Sequence, residues 1–415
     1  MTDARSEESR VRRDEYRACL ALRHCPGLGP QSWGTLLERY GSAREAVSDA
    51  ALWRAAGLLP GDAADAFRRG LWRDAARSEE AAADGLGLQP LLYADPAFPP
   101  LLRQLPDPPL FLYARGDTGL LSGPAVAVVG SRNASDLGQR LARDIADGLS
   151  RSGVTVVSGM AMGIDRAAHL AALNGPGSTV AVWGTGMDVV YPRNHERLAG
   201  YLAEGGCIVT EFAPGAPPRP SHFPARNRII AGLCLGVVLV QATAKSGGLI
   251  TARLGLEQGR EVFVCIGDGT AAFAGCRRLA DEGARAVTSA GEVLLELAPA
   301  IRDALERNGA SRRPRPKGRP VERPLGLLVR QDSGLDWDGQ ASGPEPVPEP
   351  ASPAFTGLEG DELAAWEALG GERGAHIDTL ARGLGWEVHR LSRVLLELEV
   401  RGMVRQLPGM RYDLA

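Results

Sequence analysis

Three short segments carry the side chains best suited to gripping an anionic, ring-bearing ligand. Gly130-Ser131-Arg132-Asn133 places a hydroxyl and a guanidinium after an apolar run, just before a helix start near Asp136. Glycine lets a ligand approach the backbone, serine can donate a hydrogen bond, and arginine offers a planar fork to phosphate oxygens. Free N–H groups at a helix start add positive potential. Ala244-Lys245-Ser246-Gly247-Gly248 is a second Gly-rich helix entry, an anion nest beside a point charge. Lys245 is one of only two lysines among 47 basic residues.

The third segment is His222-Phe223-Pro224-Ala225-Arg226-Asn227-Arg228. Arg226 and Arg228 supply fixed charge, Asn227 can hydrogen-bond to backbone or base, and Phe223 can stack on a base. The alternative is that Phe223 belongs to the core and one arginine pairs with a carboxylate. Two readings also stand for Ser158-Gly159-Met160-Ala161-Met162-Gly163-Ile164-Asp165. Gly159 either admits a ligand or merely allows a tight turn, with Asp165 as a helix cap.

Known catalytic arrangements are missing. GxSxG, HExxH, the phosphate loop GxxxxGK[ST] and the dinucleotide fingerprint GxGxxG do not occur. Asp188, His195 and Glu196 could support acid–base chemistry, but they read better as loop and cap residues. The six cysteines show no CxxC pair and no metal-ligand spacing with the six histidines. Cys207, Cys234 and Cys265 lie in or beside apolar runs and read as core. A site of Arg, Lys, Ser, Asn and Gly binds phosphates without an evident means of breaking them. No catalytic residue, cofactor or metal is expected.

These segments need a scaffold that brings them to one edge. Six apolar, β-branched runs begin at residues 125, 154, 179, 207, 236 and 261, about 25 to 30 residues apart. That leaves room for one helix between successive runs, the rhythm of βαβ units. Runs apolar at every position fit strands buried on both faces of a parallel sheet. The expected fold is α/β: an extended Rossmann-like, doubly wound, mostly parallel sheet over residues 86–300. In such sheets ligands bind outside the carboxyl ends of the strands, where all three segments fall.

Around this domain, residues 1–82 have helical spacing, with two short helices joined through a Gly-rich hairpin in CPGLGPQSWGTLLERYGSAREAV. Residues 301–355 read as a linker. SRRPRPKGRP carries five basic residues in ten and SGPEPVPEPASP alternates proline with glutamate. The basic run reads as a solvated tether or as a contact to DNA phosphates. Residues 356–415 pattern as three helices and a hairpin, a winged helix. Ten acidic residues against seven arginines give that stretch a net charge of −3. This argues for an accessory or protein-binding role over duplex binding. The whole chain has the same formal net charge, −3, which permits a basic groove inside a neutral total. The N-terminus lacks a signal-like apolar stretch, and no run of 18 uncharged apolar residues occurs; a cytoplasmic protein without membrane contact is expected.

Taken in order, GSRNASDLGQRLA, SGMAMGIDRAAHLAAL, TVAVWGTGMDVVYPRNH, FPARNRIIAGL, KSGGLITA and EQGREVF resemble the core of the DprA/Smf family of DNA-processing proteins. The likeness spans about residues 88–290; the first 80 residues resemble the family's helical SAM-like domain and the last 60 its winged helix. The resemblance implies a dimeric, non-catalytic single-stranded DNA binder that protects incoming DNA and loads a RecA-type recombinase in natural transformation. It puts DNA contacts at Ser131, Arg132, the FPARNR segment and Lys245 with Ser246 and Gly247. The full expected contact set is Gly130, Ser131, Arg132, Gly159, Phe223, Arg226, Asn227, Arg228, Lys245, Ser246 and Gly247. Three departures stand out: Met162 replaces a usual arginine, Gln241 an acidic residue, and Cys265-Ile266-Gly267 a Val-Pro-Gly turn. Two other readings are a nucleotide phosphoribohydrolase-like enzyme, whose PGGxGTxxE signature is absent, and a pure interaction scaffold.

Overall fold

The computed structural model describes residues 2–59, 61–309, 361–369, 375–386, 404–407 and 411–414, with 391, 394, 395 and 398. Nine strands form one sheet: β1 Pro90–Leu92, β2 Phe111–Gly116, β3 Ala125–Val129, β4 Thr155–Ser158, β5 Thr179–Trp183, β6 Cys207–Thr210, β7 Gly236–Leu239, β8 Glu261–Val264 and β9 Arg285–Ala286. Their order is β1-β2-β6-β5-β4-β3-β7-β8-β9. Every pairing from β6 to β9 is parallel, while β1 and β2 add an antiparallel edge. All six expected runs are strands. The two edge strands β1 and β9 and the neighbouring β2 were not singled out in the sequence, being short or only partly apolar.

Helices occur in the order α1 Thr2–His24, α2 Pro30–Tyr40, α3 Ala43–Ser48, α4 Gly61–Arg68, α5 Arg73–Gly85, α6 Pro100–Arg103, α7 Asp136–Arg151, α8 Ile164–Ala172, α9 Glu196–Gly205, α10 His222–Gly232, α11 Gly248–Glu257, α12 Ala274–Asp281 and α13 Ala290–Gly309. The side-chain alternation of β3 explains the double layer. Val126 and Val128 join a core with Ile145 and Leu149 of α7 and Val293 and Leu297 of α13. Ala127 and Val129 point the other way, into a core with Ile229 and Ile230 of α10 and Leu249 and Ala252 of α11. Helix α7 forms because Ala142, Ile145, Ala146 and Leu149 repeat at helical spacing and are fully buried. Burying Ile145 and Leu149 contributes about 1.5–3 kcal/mol each.

The N-terminal helices and the sheet belong to one compact unit. Glu15 of α1 is buried and accepts the Ala43 and Arg44 N–H groups at 2.8 and 2.9 Å, capping α3. Tyr16 meets Tyr113 of β2 hydroxyl to hydroxyl at 2.7 Å, and Arg12 pairs with Asp95 at 2.8 Å. Helix α13 runs to Gly309, so residues 301–309, read in the sequence as linker, are helical. The rest of that stretch lies outside the described residues.

In the C-terminal unit, α14 Asp361–Leu369 and α15 Ile377–Leu384 accompany a sheet of β10 Ala375–His376, β11 Val404–Leu407 and β12 Arg411–Leu414, ordered β10-β12-β11. Leu380, Leu395 and Tyr412 share its core. The hairpin is where the sequence placed it; part of the expected third helix lies outside the described residues.

Candidate nucleic-acid interface

From β3 the chain moves to β4 on one side and later returns to β7 on the other. The carboxyl ends of β3 and β7 therefore flank the switch point, where a doubly wound sheet opens a crevice. The loops there touch backbone to backbone. A Cβ on Gly130 would lie 2.8 Å from the Gln241 carbonyl oxygen, and one on Gly248 would lie 3.1 Å from the Gly130 Cα. Only glycine fits both.

Beside this crevice lies a pocket of about 90 Å³, walled by Arg132, Met160, Trp183, Tyr191, Phe223 and Arg226 among others. The exposed Arg132 guanidinium sits 5.3 Å from the centre of the Phe223 ring. Phe223 in turn lies 5.7 Å from Tyr191, tilted by 41°. A cation over a ring that borders open space is a platform for a base with its phosphate alongside.

Arg226 reaches the pocket from beneath. It is buried, donates from Nη1 to the Val182 carbonyl at 3.0 Å, and keeps a buried Nε–H without a partner. Burial pulls its pKa down to about 10, against the pull of Asp165 and with the help of Arg132, so it stays cationic at neutral pH. A Cβ on Gly159 would sit 1.6 Å from Arg226 Nη1. Gly159 therefore serves the site by leaving room for that guanidinium. Asp165 accepts the Gly159 and Ala161 N–H groups at 3.1 and 3.2 Å. Burial raises its pKa while Arg226 and these donors oppose the rise.

The pocket floor is held by two buried histidines. Met160 has a left-handed φ of 63°, costly for a residue with a side chain. Its N–H donates to His169 Nε2 at 3.3 Å, and its carbonyl oxygen accepts from His195 Nδ1 at 3.1 Å. His169 must then carry its proton on Nδ1, which faces Thr179 Oγ1 at 2.7 Å. Desolvation drives the His169 pKa down to about 3 and lowers that of His195. Asp188 Oδ1 accepts the Gly215 N–H at 2.8 Å. These two acid–base candidates, Asp188 and His195, hold loop backbone.

The remaining expected contacts divide. Lys245 and Gly247 are exposed and Ser246 half-exposed in the loop between β7 and α11, the neighbouring strand end. Ser131 is half-exposed, its hydroxyl tied in a local turn with Asn133. Asn227 is half-buried on α10.

Two expectations need correction. Arg228 does not face the pocket: it is buried, with Nη2 2.6 Å from the Glu211 carboxylate and Nε 3.4 Å from Asp107. The start of α7 is also less open than the sequence suggested, because one of its N–H groups is taken by the cap. Ser135 Oγ accepts the Gly138 N–H at 3.2 Å, and Gln241 Oε1 accepts the Ser135 N–H at 2.9 Å. Gln241 thus holds the cap residue Ser135 in place.

Sequence reasoning missed Tyr191, Trp183 and the Met160 clamp. Tyr191 shows only as an aromatic in a polar loop, and Trp183 as the last apolar residue of a strand. Among the described residues, no group of three or more His, Cys, Asp or Glu is placed to hold a metal ion, and no helix is long and apolar enough to cross a membrane.

Comparison with known proteins places these features in context. Residues 89–298 match the family model for DNA recombination-mediator protein A, and residues 348–410 match that of the DprA winged helix domain. The DNA processing protein DprA of Streptococcus pneumoniae is 45% identical over 205 residues, 49% of this chain and 72% of that protein. Protein Smf of Synechocystis is 37% identical over 326 residues, 77% of this chain and 78% of that one. The X-ray structure of DNA processing protein A from S. pneumoniae superposes with a TM-score of 0.59 and 36% identity, over 66% of this chain and 95% of that one.

Proposed function

Because the chain belongs to the DNA recombination-mediator protein A (DprA/Smf) family, we propose that it binds single-stranded DNA along the carboxyl-end rim of its sheet. The observation that carries this reading is the Arg132–Phe223–Tyr191 group above the buried Arg226. Aromatic rings accept any base, fixed cations hold the sugar-phosphate chain, and nothing in the group reads base edges. The contact set is Gly130, Ser131, Arg132, Phe223, Arg226, Asn227, Lys245, Ser246 and Gly247, with Gly159 making room for Arg226 and Arg228 left out.

In this reading the protein acts without chemistry of its own. It coats incoming single strands as a homodimer in the cytoplasm and hands them to a RecA-type recombinase. The tethered winged helix, with its negative charge, serves a protein partner. The DprA/Smf resemblance and the lack of a placed nucleophile support this reading over a phosphoribohydrolase.

The test is a fluorescence-anisotropy titration with oligothymidylate over a range of salt. The double variant Arg132→Ala/Lys245→Ala should weaken binding at least tenfold for every base composition. It should also reduce the salt slope by about 1.4, or 0.7 for each lost phosphate contact. Unchanged affinity and slope would remove the site from consideration. Recombinase filament formation on protein-coated strands tests the loading step.

A further inference from the structure

Helix α10 separates two cavities. Phe223 and Arg226, three residues apart, face the pocket described above, whereas Ala225 and Arg228 share another face. That second face borders a larger cavity of about 200 Å³, whose walls include Trp33 of α2, Phe111 of β2 and Phe212 after β6.

The ground between the cavities is aromatic. Phe212 stacks on His222 with ring centres 4.1 Å apart and planes 18° from parallel. His222 Nδ1 meets the carbonyl oxygen of Gly184 at 3.1 Å, and Gly184 lines the first pocket. Tyr191 and Phe223 therefore lead, through the adjoining His222, to Phe212 and then to Trp33.

The charges in the second cavity are already matched. Arg23 pairs with Glu79 at 3.1 Å, and Arg228 with Glu211 and Asp107. A phosphate finds no unbalanced cation there. Among the buried side-chain atoms of its walls one donor is left over: Nη1 of Arg228, a residue only 7% exposed, has no acceptor among the described residues. The indole N–H of Trp33 is committed to the Leu22 carbonyl at 3.3 Å, so its ring face is what remains to offer. An aromatic wall with a single spare donor suits a neutral, planar group bearing a carbonyl oxygen.

We propose that this second cavity receives a nucleobase from the same strand that occupies the first pocket, which makes the N-terminal helices part of the DNA-binding surface. The proposal rests on the single-stranded DNA reading above. It explains why Arg228 is buried with an unmet donor yet lies on the DNA-facing helix.

Photo-cross-linking of the full-length protein to oligothymidylate containing 4-thiothymidine, with mass-spectrometric mapping, is the direct test. Peptides holding Trp33 or Phe212 should be labelled together with those holding Tyr191 or Phe223. Trp33→Leu and Phe212→Leu should each weaken binding of a long oligothymidylate about tenfold, within the range of one base–aromatic stack. Neither should alter binding of an oligomer short enough to fill the first pocket alone. Labelling confined to Tyr191 and Phe223 overturns the second subsite and leaves the proposed function standing; no binding or labelling at all overturns both. Should either variant fail to fold, the map on the unaltered protein decides.

Discussion

Arg226 and Arg228 stand two residues apart on α10 and have opposite fates. Arg226 lies under an open pocket, held to a carbonyl oxygen, with no carboxylate in salt-bridge contact among the described residues. Arg228 is locked between Glu211 and Asp107. Residues at i and i+2 point to different sides of a helix, so a doublet of arginines in the sequence is not a doublet in space. A basic motif measures how much charge is present; its helical phase determines which charge meets a ligand.

The sharpest way to break this contrast is Arg228→Ala. It strands Glu211 and Asp107 and should cost about 3–5 kcal/mol in urea unfolding. Single-stranded DNA affinity of the folded protein should change less than the affinity of an Arg226 variant. A large loss of affinity for an oligomer short enough to fill the first pocket alone, at intact stability, would restore Arg228 to that pocket. Arg226→Lys keeps a charge but loses the planar fork, and should weaken binding by about 2 kcal/mol in anisotropy titrations.

The Met160 clamp sharpens the comparison from below. His169 has a folded pKa of about 3 against an ordinary 6.5, so its neutral form is the folded one. Its contribution to stability is complete above about pH 6.5 and declines as pH falls toward 3. Between pH 8 and 5 this amounts to about 2 kcal/mol, and His169→Gln should flatten that part of the unfolding profile. The smallest effect expected is for Gln241→Ala. Loosening the Ser135 cap of α7 should cost about 1 kcal/mol in thermal unfolding with little change in DNA affinity.

Much of the scaffold could be read directly from the chain. Six runs apolar at every position identify buried parallel strands without knowledge of their partners, because both faces of such a strand must be covered. The edge strands β1 and β9 escaped, since short segments at a sheet margin need no continuous apolar pattern, and β2 escaped because its second half is polar and exposed. The glycines of the strand-end loops were visible, but their reasons were not. Gly130 makes way for another loop's backbone, and Gly159 for the guanidinium of a residue 67 positions further along the chain.

The amino-acid sequence determined the six central strands, the helices between them, the strand-end rim that carries the candidate site and the family, because these follow from local periodicity and motif order. Only tertiary structure decided that Arg228 is neutralised, that Gln241 fastens the Ser135 cap of α7 and that two histidines brace Met160. Each of those depends on a partner distant in sequence, such as Ser135, 106 residues from Gln241. Charge and hydrogen-bond matching act through space, and a one-dimensional pattern records the donors without saying which acceptors they will meet.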